Sequence, residues 1–150
     1  MPSQPASAGK LVTFRRFFDL DVVPATALIR ISADTRYKLI VNGTRAGIGP
    51  ARGYDSAWYY DTIDLAPFLV QGKNTIHIDV VRFYPAFLGA FSFVRTGLPG
   101  LTLVGQAGDV NLSTDVTWEA LIRDNVIYPV KGNQDILLHV SKRTIVAGSI

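Results

Sequence analysis

The stretch KLIVNGTRAGIGPARG, residues 38–53, places Gly43, Gly47, Gly49 and Gly53 within eleven positions. Such density belongs either to a phosphate-gripping loop or to the corners of a sheet. A dinucleotide fingerprint needs a strand, then G-x-G-x-x-G, then a helix whose N-terminus faces the pyrophosphate. Gly47 and Gly49 have the first spacing, but the third glycine falls one residue late, at Gly53, and Pro50 intervenes. The next residues, YDSAWYYDTIDL, have strand rather than helix character. A P-loop fails as well, because Tyr54 stands where lysine is required. Asn42-Gly43, in contrast, is the strongest short hairpin signal, since a type I′ turn needs positive φ at both central positions. The glycines are read as turns.

Working outward, the flanks carry period-two alternation and no sustained helical period. In residues 27–34, Ile29, Ile31 and Ala33 share one face and Arg30 and Ser32 the other. Residues 75–82 repeat the scheme with Ile76, Ile78 and Val80, and residues 135–141 with Ile136, Leu138 and Val140. Residues 14–20, 36–41, 44–48, 59–65 and 101–104 are shorter strand candidates, while residues 116–123 are ambiguous between strand and short helix. Asp64 and Pro67 open one helical turn, and Gly72-Lys73-Asn74 turns the chain into the next strand. Many short strands separated by turn signals predict an all-β, antiparallel sandwich or jelly roll. With no internal repeat and no linker, residues 1–10 read as a disordered leader and 11–150 as one β-sandwich domain. The closing TIVAGSI implies a continuation.

Composition narrows the function. Hydrophobic residues make up 48% and charged ones 18%, which is apolar for a free-standing domain and implies a core or a covered face that takes the excess. No run reaches the roughly 20 apolar residues of a membrane helix, so no membrane partner is expected. Net charge is +3, with basic residues scattered and adjacent only at Arg15-Arg16 and Lys142-Arg143. A nucleic-acid binder gathers such charges on one element to neutralise a row of phosphates, so no nucleic-acid partner is expected either. Zero cysteines exclude a disulfide framework and a thiol nucleophile and fit a reducing compartment. With no signal-peptide pattern, this favours the cytoplasm. The sequons Asn42-Gly43-Thr44 and Asn111-Leu112-Ser113 leave an extracellular setting open.

The inventory for catalysis is poor. Glycosidases use paired carboxylates, yet Glu119 is the one glutamate beside eleven aspartates. Asp61 and Asp64 would face opposite sides of a strand, and Asp19 and Asp21 sit at a strand end. His77 and His139 lie on alternating strands without nearby ligands and read as surface or edge residues; no metal site and no catalytic residue is assigned. Two features point to binding. Arg52, Tyr54, Asp55 and Trp58 combine an aromatic platform with charged hydrogen-bonders, which suits a sugar's apolar face and hydroxyl rim. In residues 83–93, FYPAFLGAFSF, no charge interrupts Phe83, Tyr84, Phe87, Leu88, Phe91 and Phe93. A run this apolar either folds into the sandwich or marks a surface that another domain covers, and the second reading is favoured.

Residues 30–83 resemble the N-terminal β-sandwich of family 78 glycoside hydrolases, the α-L-rhamnosidases and their fungal relatives. The matching pieces are the strand into Val41-Asn42-Gly43, the GPARG loop, Tyr60-Asp61-Thr62-Ile63-Asp64-Leu65 and Gly72-Lys73-Asn74. Phe91-Ser92-Phe93, Pro99-Gly100-Leu101, a strand with Thr114-Asp115 and Trp118, and residues 135–140 extend the likeness over residues 12–143. The resemblance implies a galactose-binding-like fold and a non-catalytic accessory domain. Its partners would be neighbouring domains of the same hydrolase, whose chemistry sits in a separate (α/α)6 barrel. It also implies carbohydrate binding as the alternative role. Some related modules bind L-rhamnose with calcium, but no ligand set for either carries over.

Overall fold

The computed structural model describes residues 10–51, 57–82, 100–124, 126–127 and 143–144. Alternation along the chain becomes burial across the sheet. In β2 (Leu28–Asp34), Ile29 and Ile31 are fully buried while Arg30 between them is exposed. In β3 (Arg36–Val41) Tyr37, Leu39 and Val41 are buried and in β6 (Gly72–Val81) Ile76, Ile78 and Val80, with half-buried residues between them. The other strands are β1 (Leu11–Leu20), β4 (Thr44–Gly49), β5 (Asp61–Asp64), β7 (Gly100–Ala107), β8 (Val110–Asn111) and β9 (Glu119–Ile122). A short pair joins β10 (Val126–Ile127) to β11 (Arg143–Thr144).

Two antiparallel sheets result, with strand orders β4-β3-β6-β1-β9 and β5-β2-β7-β8. Their apolar faces meet, Phe18, Leu39, Ile76 and Ile78 from the first against Ile29, Ile31, Leu103 and Ala107 from the second. Each large side chain so buried contributes about 1.5–3 kcal/mol, and the period of two forces each strand's remaining side chains outward. The molecule is an all-β sandwich. No helix among the described residues is long and apolar enough to cross a membrane.

The hairpin between β3 and β4 turns at Asn42 (φ 48°) and Gly43 (φ 81°), the pair of positive φ values that the Asn-Gly signal requires. Gly47 and Gly49 are not turns. They lie inside β4, where a Cβ on Gly47 would come within 2.8 Å of Ile63 Cδ1. At Gly49 it would collide with the Asp61 carboxylate and the Tyr37 phenol. The edge strand therefore carries glycine because the other sheet closes onto it.

Asn74 is likewise more than a turn residue. It is 1% exposed and accepts hydrogen bonds at Oδ1 from Asn42 Nδ2 (2.8 Å) and the Val70 N–H (2.9 Å). Its amide donates to the Val70 and Gly72 carbonyls. Asn42 in turn donates to the Phe68 carbonyl and accepts from the Thr75 N–H. Both amides are satisfied, which makes burial of these polar groups tolerable. The one-turn helix forms at Ala66–Phe68 with proline in its first turn. Asp64 Oδ1 accepts the N–H groups of Ala27 (2.8 Å) and Ala66 (3.0 Å), which hold its carboxyl below the usual range.

Of residues 116–123, Glu119–Ile122 form the edge strand β9. The preceding stretch at 114–118, read as a strand in the family likeness, is a turn. Asp115 accepts the Thr117 N–H at 2.8 Å and its own carbonyl accepts the Trp118 N–H, the local closure that aspartate favours. The strand predicted at 135–141, with His139, lies outside the described residues.

Candidate functional site

The outer face of the four-stranded sheet carries a cleft of about 530 Å³. Its position follows from register. Arg30 and Ser32 project outward because Ile29 and Ile31 are buried, and β7 sets Val104 beside Arg30 and Thr102 beside Ser32. On the other side Asp61 pairs with Ile31, which brings Tyr60 alongside Ser32. Among the described residues, Trp58 and Tyr60 complete the lining, 44% and 59% exposed. Among the described residues the cleft thus holds two rings, one guanidinium and three hydroxyls, those of Ser32, Thr102 and Tyr60.

The Arg30 guanidinium lies over the Tyr60 ring at 5.9 Å from its centroid. Ser32 Oγ donates to the Tyr59 carbonyl at 2.7 Å, which leaves its oxygen free to accept. At the end of the cleft, Asp34 faces Gly100 across the β2–β7 pair. Its carboxylate is buried, paired with Arg82 at 4.0 Å and bonded by the Thr35 hydroxyl at 3.2 Å. The cleft therefore offers donors and ring faces and no exposed carboxylate among the described residues.

Trp58 is the sequence-derived site residue that falls in this cleft. Arg52, Tyr54 and Asp55 lie outside the described residues, as do Phe83, Tyr84, Phe87, Leu88, Phe91 and Phe93. Tyr60 belongs to the aromatic cluster around Trp58, whereas Arg30, Ser32 and Thr102 do not stand out as site residues from sequence. Their polar alternation is visible there, but strand neighbours far apart in the chain are not.

The carboxylates do structural work. Asp61 accepts the Tyr37 hydroxyl at 2.5 Å, a bond from β3 to β5 that ties the two sheets. Burial, then the hydrogen bond and the charge of Asp61, push the Tyr37 phenol pKa upward. Asp19 and Asp21 are exposed at the end of β1. His77 is not an edge residue. It sits on β6, flanked by β3 and β1, half-buried, with Nε2 enclosed and without a hydrogen-bond partner among the described residues. No group of three or more His, Asp or Glu side chains among the described residues could hold a metal.

These features define an all-β sandwich with a ring-lined cleft on one outer face. The fold is similar to part of the family 78 rhamnosidase of Bacillus sp. GL1, at 28% identity and a TM-score of 0.68. The match covers 84% of this chain and 13% of that one. The α-L-rhamnosidase of Aspergillus terreus shares the fold at 21% identity and a TM-score of 0.65, over 84% of this chain and 16% of its own. A lectin of Pleurotus ostreatus matches 97% of this chain and 39% of its own length, at 25% identity and a TM-score of 0.52. No protein-family model and no curated protein matches the sequence. The chain thus corresponds to one domain's share of the rhamnosidases it resembles.

Proposed function

We propose that this chain is a non-catalytic accessory domain of an α-L-rhamnosidase-like glycoside hydrolase, packed against and supporting a separate (α/α)6 catalytic barrel. The observation that carries the reading is the asymmetry of coverage: 84% of this chain against 13% of the Bacillus enzyme. The occupation of Asp61 and Asp64 by structural hydrogen bonds supports it, since neither carboxylate is disposed for acid–base chemistry. On sequence grounds the contact surface is residues 83–93, with Phe83, Tyr84, Phe87, Leu88, Phe91 and Phe93. The purified chain should release no nitrophenol from an aryl α-L-rhamnoside and should bind a hydrophobic dye or self-associate. Turnover, or a clean monomer indifferent to dye, ends this reading.

The cleft favours a second reading, a carbohydrate-binding module. Rings for the apolar face of a sugar stand beside donors for its hydroxyls, in a volume suited to a small saccharide. The likeness to a lectin supports it. Calorimetric titration with rhamnose and galactose, with and without calcium, should give heat that W58A abolishes. Absence of heat at millimolar sugar removes it.

A further inference from the structure

We infer that the ligand of the cleft carries a carboxylate, as in a hexuronic acid unit of a saccharide, and that Arg30 receives it. This rests on the carbohydrate-binding reading and adds the chemical class of the sugar. Position sets Arg30 apart, because it is the one cation among the described residues that line the cleft. Ion pairs among the described residues engage Lys10, Arg15, Lys38 and Arg82 with Asp124, Glu119, Asp79 and Asp34. Arg30 takes part in none of them. Its strand neighbours are Thr62 and Val104, neither acidic. Asp34, the acidic residue of the cleft, is buried and paired with Arg82. The cation therefore faces the cleft without a counter-ion among the described residues.

Geometry directs it. The Arg30 guanidinium is within cation–π reach of Tyr60, 5.9 Å from the ring centroid, and no hydrogen bond or ion pair among the described residues occupies its N–H groups, which suit a planar acceptor. A carboxylate matches that edge with two parallel hydrogen bonds, whereas a neutral hydroxyl uses only one donor. With the carboxylate on Arg30, the ring of the same unit lies toward Trp58 and Tyr60, and its hydroxyls reach the Ser32 oxygen and the Thr102 hydroxyl. A neutral sugar keeps the stacking and loses the ion pair.

Calorimetric titration of the chain with glucuronic and galacturonic acids, against glucose and galactose, tests the inference, with R30Q and R30K alongside. Arg30 is exposed, so both variants should keep the parent's unfolding midpoint. The expected result is uronate affinity about tenfold or more above that of the neutral sugars. R30Q should lower it to the neutral level, R30K should lie between, and added salt should weaken the uronates alone. Neutral sugars binding as tightly as uronates, or R30Q keeping the preference, overturns the carboxylate assignment and leaves the carbohydrate reading standing. No binding by either class removes both.

Discussion

The two outward faces of the sandwich treat charge in opposite ways. On the five-stranded sheet, register sets each of two cations against an anion: Arg15 beside Glu119 at 2.7 Å and Lys38 beside Asp79 at 3.3 Å. Thr13 adds a hydrogen bond to Asp79 at 2.7 Å. On the four-stranded sheet, the equivalent rows read Thr62–Arg30–Val104 and Tyr60–Ser32–Thr102, with rings and hydroxyls in place of counter-ions. Exposed pairs contribute only about 0–1 kcal/mol each, so stability does not explain the contrast. At these positions one face sets its cations against carboxylates of the chain, and the other sets Arg30 against none among the described residues.

The contrast between the faces breaks most severely if the layer beneath the cleft is removed. Ile31 is fully buried under Arg30 and Ser32, so Ile31→Ala should cost about 2–5 kcal/mol in urea unfolding. It should take both faces down in one transition. Next is the seam between the sheets. Tyr37→Phe strands the Asp61 carboxylate and should cost about 1–3 kcal/mol. Gly49→Ala should be destabilising for the same seam, because its Cβ collides with both partners.

This seam also has a pH signature. The folded-state pKa of Tyr37 is raised, so its contribution is present below the unfolded value of about 10 and is lost as pH rises above it. The urea midpoint of the parent should therefore fall more steeply above pH 10 than that of Tyr37→Phe. Equal slopes would mean that the seam does not couple to pH. A smaller effect, opposite in sign, belongs to Asp64, whose pKa is lowered by the Ala27 and Ala66 N–H groups. Its contribution holds above the unfolded value of about 4 and fades as pH falls through the folded one. Asp64→Asn should flatten the acid limb of the stability profile.

The smallest stability effect sharpens the contrast best. Glu119→Gln and Arg30→Gln should each change stability by less than about 0.5 kcal/mol. Only the second should change sugar binding. Equal binding by both variants would mean that the two faces are functionally alike.

Much of the fold is legible in the sequence because a strand writes its burial into alternate residues. The strand predicted at residues 36–41 is β3 as found, and Asn42-Gly43 turns as its chemistry requires. Reading Gly47 and Gly49 as turns fails because the reason for them lies in the opposite sheet, at Ile63 and Asp61. Asn74 reads as turn chemistry alone for the same reason, its partners being 32 positions away at Asn42 and four away at Val70. His77 has the pattern of an edge residue until strand order puts β6 between two neighbours.

Of the cleft, the sequence indicates an aromatic platform that includes Trp58. It does not indicate that Arg30, Ser32 and Thr102 share its face. Residue order by itself determined which positions of β2, β3 and β6 are buried, the reversal at Asn42-Gly43 and, among the described residues, the scarcity of helix, since these depend on local sterics and a period of two. Only the tertiary structure decided which strands lie side by side, and hence which cations meet carboxylates and which do not. Pairing of distant strands is settled by how two sheets bury their apolar faces together, and that is a property of the whole chain rather than of any stretch.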